Sequence, residues 1–474
     1  MKCFSKIVNL GFGILFLFAV ICSATEMYFV LDERIKFAFF TTLFIIGFSA
    51  ALCFLLYKLE KYLSNQEKLC IRILYILPFV LLTIQIIFAV LVDFTPKNDL
   101  NYICKGAENF VKYGIENIHN GLPERHQKYF YVYPNNHMLF LIISGLYKIS
   151  YELTGEISNT LPIIFNISAL NISYIFMIAS AKLLYNPSKA CICAIRGFMF
   201  MPLITYSVMF YTDSLAMPFV SAGIYLYIRC RHENNTKRCY IFLAACGSII
   251  AFGYKIKGSV IILLAAIIVD LFLHKYSAKS VIIKITTLIS SFAVIVLMLN
   301  FVSLKVLDTS KDEIEKYEFP MVHWIMMSAD GKGGYNGEDF LYTQSFEGYD
   351  NKTNADLERL GEKLKTQGAS GFAEHLLNKM NYTWHDGTYM TPYYNPDNKF
   401  LNGDLFLIIA DILHFSLLIK IIQGYLSKAN RTNNEVQEKS LFLKICLCGL
   451  FIFLLIWEAR CRYLVSFMAL FALI

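Results

Sequence analysis

Runs of predominantly apolar residues recur along almost the whole chain, separated by short connectors that carry lysine and arginine. Most runs are about 16 to 25 residues long, enough to cross or nearly cross the roughly 30 Å hydrocarbon core of a bilayer as a helix. Within that core every backbone polar group needs an internal partner, which limits spanning segments to helices or closed barrels. Such a chain is expected to fold as an all-α polytopic membrane protein. Composition agrees, since 56% hydrophobic and only 17% charged residues is too apolar for a soluble domain of 474 residues. The net charge of +7 is scattered through the connectors, as orientation signals are, so no nucleic-acid partner is expected. Cys22, Cys53, Cys191, Cys193, Cys246, Cys446 and Cys448 fall inside apolar runs as small hydrophobes, so neither a disulfide framework nor a zinc site follows.

Candidate spans lie near 7–25, 37–57, 71–92, 137–152, 160–181, 190–209, 214–229, 239–254, 258–273, 281–301, 402–421, 441–457 and 463 to the end, about twelve or thirteen in all. The first is expected to be retained rather than cleaved, because "CSATE" is an indifferent cleavage site and the later spans need an anchor. The last stops after about a dozen residues, so the chain is expected to be a fragment. Segment 137–181 must cross an odd number of times, which predicts that 137–152 lies partly in the interface or re-enters. The Lys/Arg clusters alternate with the other connectors and predict a cytoplasmic N-terminus. Three regions follow: a bundle over 1–304 that includes an outer loop at 93–136, an extracytoplasmic region at 305–400, and closing helices over 401–474.

This topology puts five polar clusters on the outer face: 93–136, the "YTD" turn Tyr211–Asp213, the "GYKIKG" turn Gly253–Gly258, the stretch 305–400, and "EARCRY", Glu458–Tyr463. Ionisable groups at a membrane edge are costly unless paired or used, so their convergence marks a candidate site. Within the first cluster, Asp99, Tyr102, Gly106, Ala107, Phe110 and Gly114 recur at helical spacing and predict an amphipathic helix on the membrane surface. Asp99 at its start is either a helix cap or a reacting group, and Asp93 either ends the third span or joins it.

"NDLNYICKGAENFVKYG" resembles the acidic first-outer-loop signature of the GT-C superfamily of integral-membrane glycosyltransferases, a group that includes protein mannosyltransferase-like and aminoarabinose transferase-like families. The acidic pair of that signature is Asn98 and Asp99 here, so one carboxylate is missing. "YVYPNNHMLFLI", Tyr131–Ile142, resembles the Tyr-Pro element closing that loop, and "FYTDSL", Phe210–Leu215, the second acidic motif. "NKMNYTWHDGTY" and "WEARCRYL" are similar to motifs of a Gram-positive branch. The resemblance implies transfer of a sugar from a polyprenyl-phosphate donor to an extracytoplasmic glycan, lipid or protein, with Asp99 or Asp93 as base. It implies substrate-binding roles for Tyr102, Tyr133, Asn135, Asn136, Tyr211 and Asp213.

The chemistry fits that expectation. The chain has no phosphate-cradling "GxxxxGK[ST]" loop and no G-x-G-x-x-G after a strand, and a donor held by its lipid tail needs neither. Direct transfer needs a carboxylate to accept the hydroxyl proton and positive groups to steady the departing phosphate. Lys255 and Lys257 are first candidates for the phosphate, then Arg460 and Arg462. The bland alternatives are snorkelling by the lysines and a Glu458–Arg462 ion pair along one helix face. Asp213 is expected to position the acceptor or to hold a divalent cation. Trp324, Tyr335, Trp384, Tyr393 and Tyr394 are candidates to stack on sugar rings or to anchor at the interface. His323, His385 and Asp386 are candidate acceptor or metal contacts. "DGKGGYNGED" lacks the alternation and closing glutamate of a calcium loop. A polysaccharide polymerase or ligase is the nearest alternative. A lipid-linked glycan transporter would show paired broken helices, which the sequence does not suggest.

Overall fold

The computed structural model describes residues 2–274, 276–426 and 434–474. Among these residues the chain is almost entirely helical and contains no strand. Seven helices are long and apolar enough to cross a membrane: Lys6–Asp32, Ala38–Leu63, Glu67–Leu91, Thr160–Leu184, Thr236–Ile256, Ala278–Val306 and Asp404–Leu426. The other expected spans form shorter helices instead, at His137–Thr154, Pro187–Phe198, Met217–His232, Gly258–Leu273, Leu441–Ile456 and Cys461–Leu473. Of the twelve or thirteen expected spans, seven are helices of full spanning length among the described residues, and the others are shorter helices packed among them. All-α polytopic membrane architecture stands.

Burial sorts the long helices. Glu67–Leu91 and Ala278–Val306 are 17% buried over their most apolar stretch, whereas Thr160–Leu184 and Asp404–Leu426 reach 56%. The first two therefore present most of their surface to lipid, and the second two form the centre. The expected span at 190–209 ends at Phe198, and the chain then runs irregularly to Tyr211 with only one short turn of helix, Pro202–Thr205. Carbonyls freed by this break would be expensive inside a bundle. Polar side chains from neighbouring helices take them: Gln85 Nε2 donates to Leu203 O at 2.7 Å, and Asn166 Nδ2 to Tyr206 O at 2.6 Å and Ser207 O at 3.0 Å. A second interruption follows Ile456, where residues 457–460 leave helical conformation before the tight turns of Cys461–Phe467. The continuous span expected over 190–209 is thus corrected, whereas the second interruption falls between the spans expected at 441–457 and from 463.

Residues 305–400 form a helical cap. Its long helix, Tyr349–Trp384, is kinked at Gly368, whose φ of 62° suits a residue without Cβ. Buried Asp339 ties the cap together by accepting from Arg359 Nε at 2.7 Å and Lys363 Nζ at 2.6 Å. The cap docks on the second interruption: Ser328 Oγ donates to Ile456 O at 3.0 Å, and Ala459 N to Gly333 O at 2.8 Å. Lys332 reaches the first helix at Glu26, 2.8 Å away.

Candidate functional site

Asp213 sits in the short helix Thr212–Leu215, directly after the first interruption, and is fully buried. Lys257, the residue that ends the Thr236–Ile256 helix, binds Oδ1. Arg462, in the turns after the second interruption, donates Nη1 to Oδ2 at 2.9 Å. Ser466 Oγ secures the Asp213 carbonyl at 2.8 Å. Burial opposes ionisation of Asp213, but Lys257 and Arg462 outweigh it and hold the carboxyl below the usual range. Two cations thus share one carboxylate, and the Nε of Arg462 is buried without a partner among the described residues.

A second pair extends the cluster. Glu458 accepts from Arg460 Nε at 2.7 Å and from the Tyr463 hydroxyl. The Tyr463 ring lies 4.4 Å from Lys257 Nζ and 4.9 Å from the Arg462 guanidinium carbon, which joins the two ion-paired groups through one aromatic face. The sequence expectation of a Glu458–Arg462 pair is corrected here: Glu458 takes Arg460 and Arg462 takes Asp213, because residues 457–460 are not helical and the four-residue spacing loses its meaning.

Asp99 faces this cluster from the Asn98–Tyr113 helix. The helix carries no side-chain cap, so the capping role considered for Asp99 does not apply. Its Oδ2 lies 3.4 Å from the Tyr211 hydroxyl, and Arg462 lies 5.3 Å from the Tyr211 ring. Tyr129, Tyr133, Tyr335 and Tyr394 all feel the Asp99 charge. Burial pushes the Tyr394 hydroxyl up to about 12, with Arg462 and Arg460 opposing the rise and Asp213 and Asp99 adding to it. Asp99 is only half-buried, which leaves it open to a ligand.

The remaining candidates divide. Tyr102 packs 5.4 Å from Tyr129, and Tyr133 5.0 Å from it, so both line the aromatic wall around Asp99. Asn136 is buried and donates to the Tyr129 hydroxyl at 2.8 Å, which makes it a support for that wall, while Asn135 is exposed. Asp93 is exposed at the end of its helix and makes no hydrogen bond or ion pair among the described residues. Lys255 makes no ion pair with Asp213 among the described residues, and the acidic group that acts on it is Glu318 of the cap. His323 is buried within the cap, 2.7 Å from Thr343 Oγ1, and burial pulls its pKa down to about 3. Trp384 packs in the bundle core, 5.3 Å from Phe16 and 5.8 Å from Phe451, so its ring has no face left for a sugar.

Tyr463, Tyr129 and Ser466 belong to the cluster and were not singled out as site residues from the sequence. Tyr463 stood inside the "EARCRY" motif, whereas nothing in the sequence distinguishes Tyr129 or Ser466 from neighbouring tyrosines and serines. Both Asp213 oxygens are occupied by cations, so Asp213 offers no free carboxylate to a divalent ion. Among the described residues no group of three or more His, Cys, Asp or Glu side chains is placed to hold a metal.

No curated protein matches the chain. A family model described as a conserved hypothetical integral membrane protein matches residues 1–474, and the chain belongs to that family.

Proposed function

We propose that this protein is a glycosyltransferase that moves one sugar from a polyprenyl-phosphate donor to an extracytoplasmic acceptor. The observation that carries the proposal is the placement of half-buried Asp99 against a buried cluster in which Lys257, Arg460 and Arg462 outnumber Asp213 and Glu458. In the reaction an acceptor hydroxyl attacks the anomeric carbon, its proton passes to Asp99, and the bond from that carbon to the phosphate oxygen breaks. The lipid phosphate leaves with the electron pair, and the surplus positive charge of the cluster steadies it. The Tyr211 hydroxyl orients Asp99, and the tyrosine wall offers ring faces and hydroxyls to a sugar. The lysine and arginine clusters support an orientation with the N-terminus in the cytoplasm and this site outside.

The test is transfer from a panel of radiolabelled polyprenyl-phosphate sugars by the protein in lipid, with Asp99→Asn and Asp93→Asn alongside. Loss of transfer in Asp99→Asn, with donor binding kept, is expected. Equal transfer by wild type and Asp99→Asn would remove Asp99 as base.

A second reading has one observation in its favour. Two interrupted segments meet back to back at Asp213 and Arg462, as broken helices do around the substrate of many transporters. Movement of a lipid-linked glycan across proteoliposome membranes, without cleavage of its phosphate linkage, would favour that reading over transfer.

A further inference from the structure

A cavity of about 260 Å³ lies between the Lys6–Asp32 helix, the 382–393 segment and the Asp404–Leu426 helix, with Arg34, Tyr382, His385, Asp386 and Asp411 in its wall. Cys461, which lies between Arg460 and Arg462 in the chain, also lines it, and its Sγ lies 3.1 Å from Asp386. The two aspartates differ sharply in their surroundings. Asp386 is saturated, since Thr388 donates both its N–H, at 2.8 Å, and its hydroxyl to Oδ1, while Met390 N at 3.0 Å and Cys461 Sγ donate to Oδ2.

Asp411 is 2% exposed and receives one hydrogen bond, from Gly387 N to Oδ1 at 2.9 Å. Its Oδ2 has no partner among the described residues, and the residue lines the cavity. The charged group acting on it is Asp386, of the same sign. A buried carboxyl so placed has no positive partner among the described residues, and an ammonium brought to its open oxygen would ionise it by supplying both charge and hydrogen bond.

The opposite pole stands at the mouth. Arg34 donates to Asn402 O at 2.9 Å and pairs at 3.3 Å with Asp404, whose side chain is 54% exposed. Such an exposed pair is weak and yields readily to a better anion. Between the poles the wall is apolar, with Met27, Leu31 and Leu407. Beside the mouth, Phe29, Leu405 and Ile409 are exposed on the two framing helices and offer an apolar surface to acyl chains.

We propose that this cavity binds the headgroup of a zwitterionic aminophospholipid, with its ammonium on Asp411 and its phosphate at Arg34. The polarity selects a ligand with a cation at one end and an anion at the other, and the exposed apolar residues favour a lipid over a free amine. The site stands apart from the transfer chemistry and does not depend on it.

The full-length protein in nanodiscs of equal parts phosphatidylethanolamine and phosphatidylglycerol, free of phosphatidylcholine, is released and weighed by native mass spectrometry. Retention of phosphatidylethanolamine is expected to exceed that of phosphatidylglycerol roughly tenfold, and Asp411→Asn and Arg34→Gln are each expected to remove that preference. Arg34 is partly exposed, so its variant carries the test if Asp411→Asn does not fold. Equal retention of the two lipids, or a preference that survives in a folded variant, overturns the proposal. Binding of soluble phosphoethanolamine without retention of the lipid would overturn the lipid assignment.

Discussion

Arg462 Nη1 lies 2.9 Å from Asp213 Oδ2, across 249 residues of chain, while Lys257 holds the other oxygen from a third segment. Two interruptions of helix and the end of the Thr236–Ile256 helix are locked by one carboxylate. Replacing it with Asn leaves two buried cations facing each other, and removal of one member of a buried ion group costs about 3–5 kcal/mol. Asp213→Asn is therefore expected to lose about that much stability, and Asp213→Asn combined with Lys257→Met to recover part of it. Chemical unfolding in detergent measures both. A single variant within about 1 kcal/mol of wild type would show that the charges find solvent or other partners.

Tyr211 connects this lock to Asp99. Its hydroxyl donates over 3.4 Å, a long bond, so Tyr211→Phe is expected to cost no more than about 1 kcal/mol of stability. The same change frees the proposed base to rotate. Single-turnover transfer is expected to slow about tenfold, less than the roughly 10²–10⁴-fold that a general base supplies because the base itself is kept, while donor affinity stays unchanged. Unaltered turnover would mean that Tyr211 does not orient Asp99.

Much of this arrangement was legible in the chain, and the failures have physical causes. Positive connectors predicted that Asp99, Asp213, Lys257 and Arg462 share one face, and the structure brings them together. Their pairing was not legible, because an ion pair between segments leaves no periodic trace in sequence. Glu458 and Arg462 illustrate the trap, since a four-residue spacing signals a pair only where the backbone is helical. Trp384 and His323 were read as surface contacts because the 305–400 stretch is polar overall. The last turn of the Tyr349–Trp384 helix plugs into the bundle core, and the Met321–Met327 helix turns His323 toward Thr343. The helix break after Phe198 did have a signal in Gln85 and Asn166, polar residues inside apolar runs whose amides serve the broken segment.

The cap is expected to gain stability as pH rises through neutrality. Lys379 is buried, donates to Ser328 Oγ at 3.1 Å, and is pulled down to about 7 by burial, against a smaller upward pull from Glu458. Above that value the folded state releases a proton that the unfolded chain holds until about pH 10.4. Stability therefore increases with pH over this window, by at most about 1.4 kcal/mol per unit for one group. Lys352, lowered to about 8 by burial, contributes with the same sign. Lys379→Met should reduce the slope without abolishing it, as read from Tm between pH 6.5 and 9, values chosen to bracket roughly the two transitions. An unchanged slope would place the titration elsewhere.

Gly387 fixes how closely the segment after Trp384 approaches the central Asp404–Leu426 helix. A Cβ there would meet Ala410 O at 2.5 Å, the Ala410 carbonyl carbon at 2.6 Å and Asp411 Cα at 2.8 Å, all backbone atoms that cannot rotate away. Relief requires the segment to lift from the helix, and that movement breaks the Gly387 N–H bond to Asp411, 2.9 Å long. Gly387→Ala is expected to destabilise by about 1–3 kcal/mol, the usual cost of overpacking. Because Asp386 and Cys461 ride on the same contact, the substitution should also make the Cys461 thiol more reactive toward maleimide in the folded protein. Wild-type stability together with wild-type labelling would mean that the segment does not sit on the helix backbone as closely as these distances require.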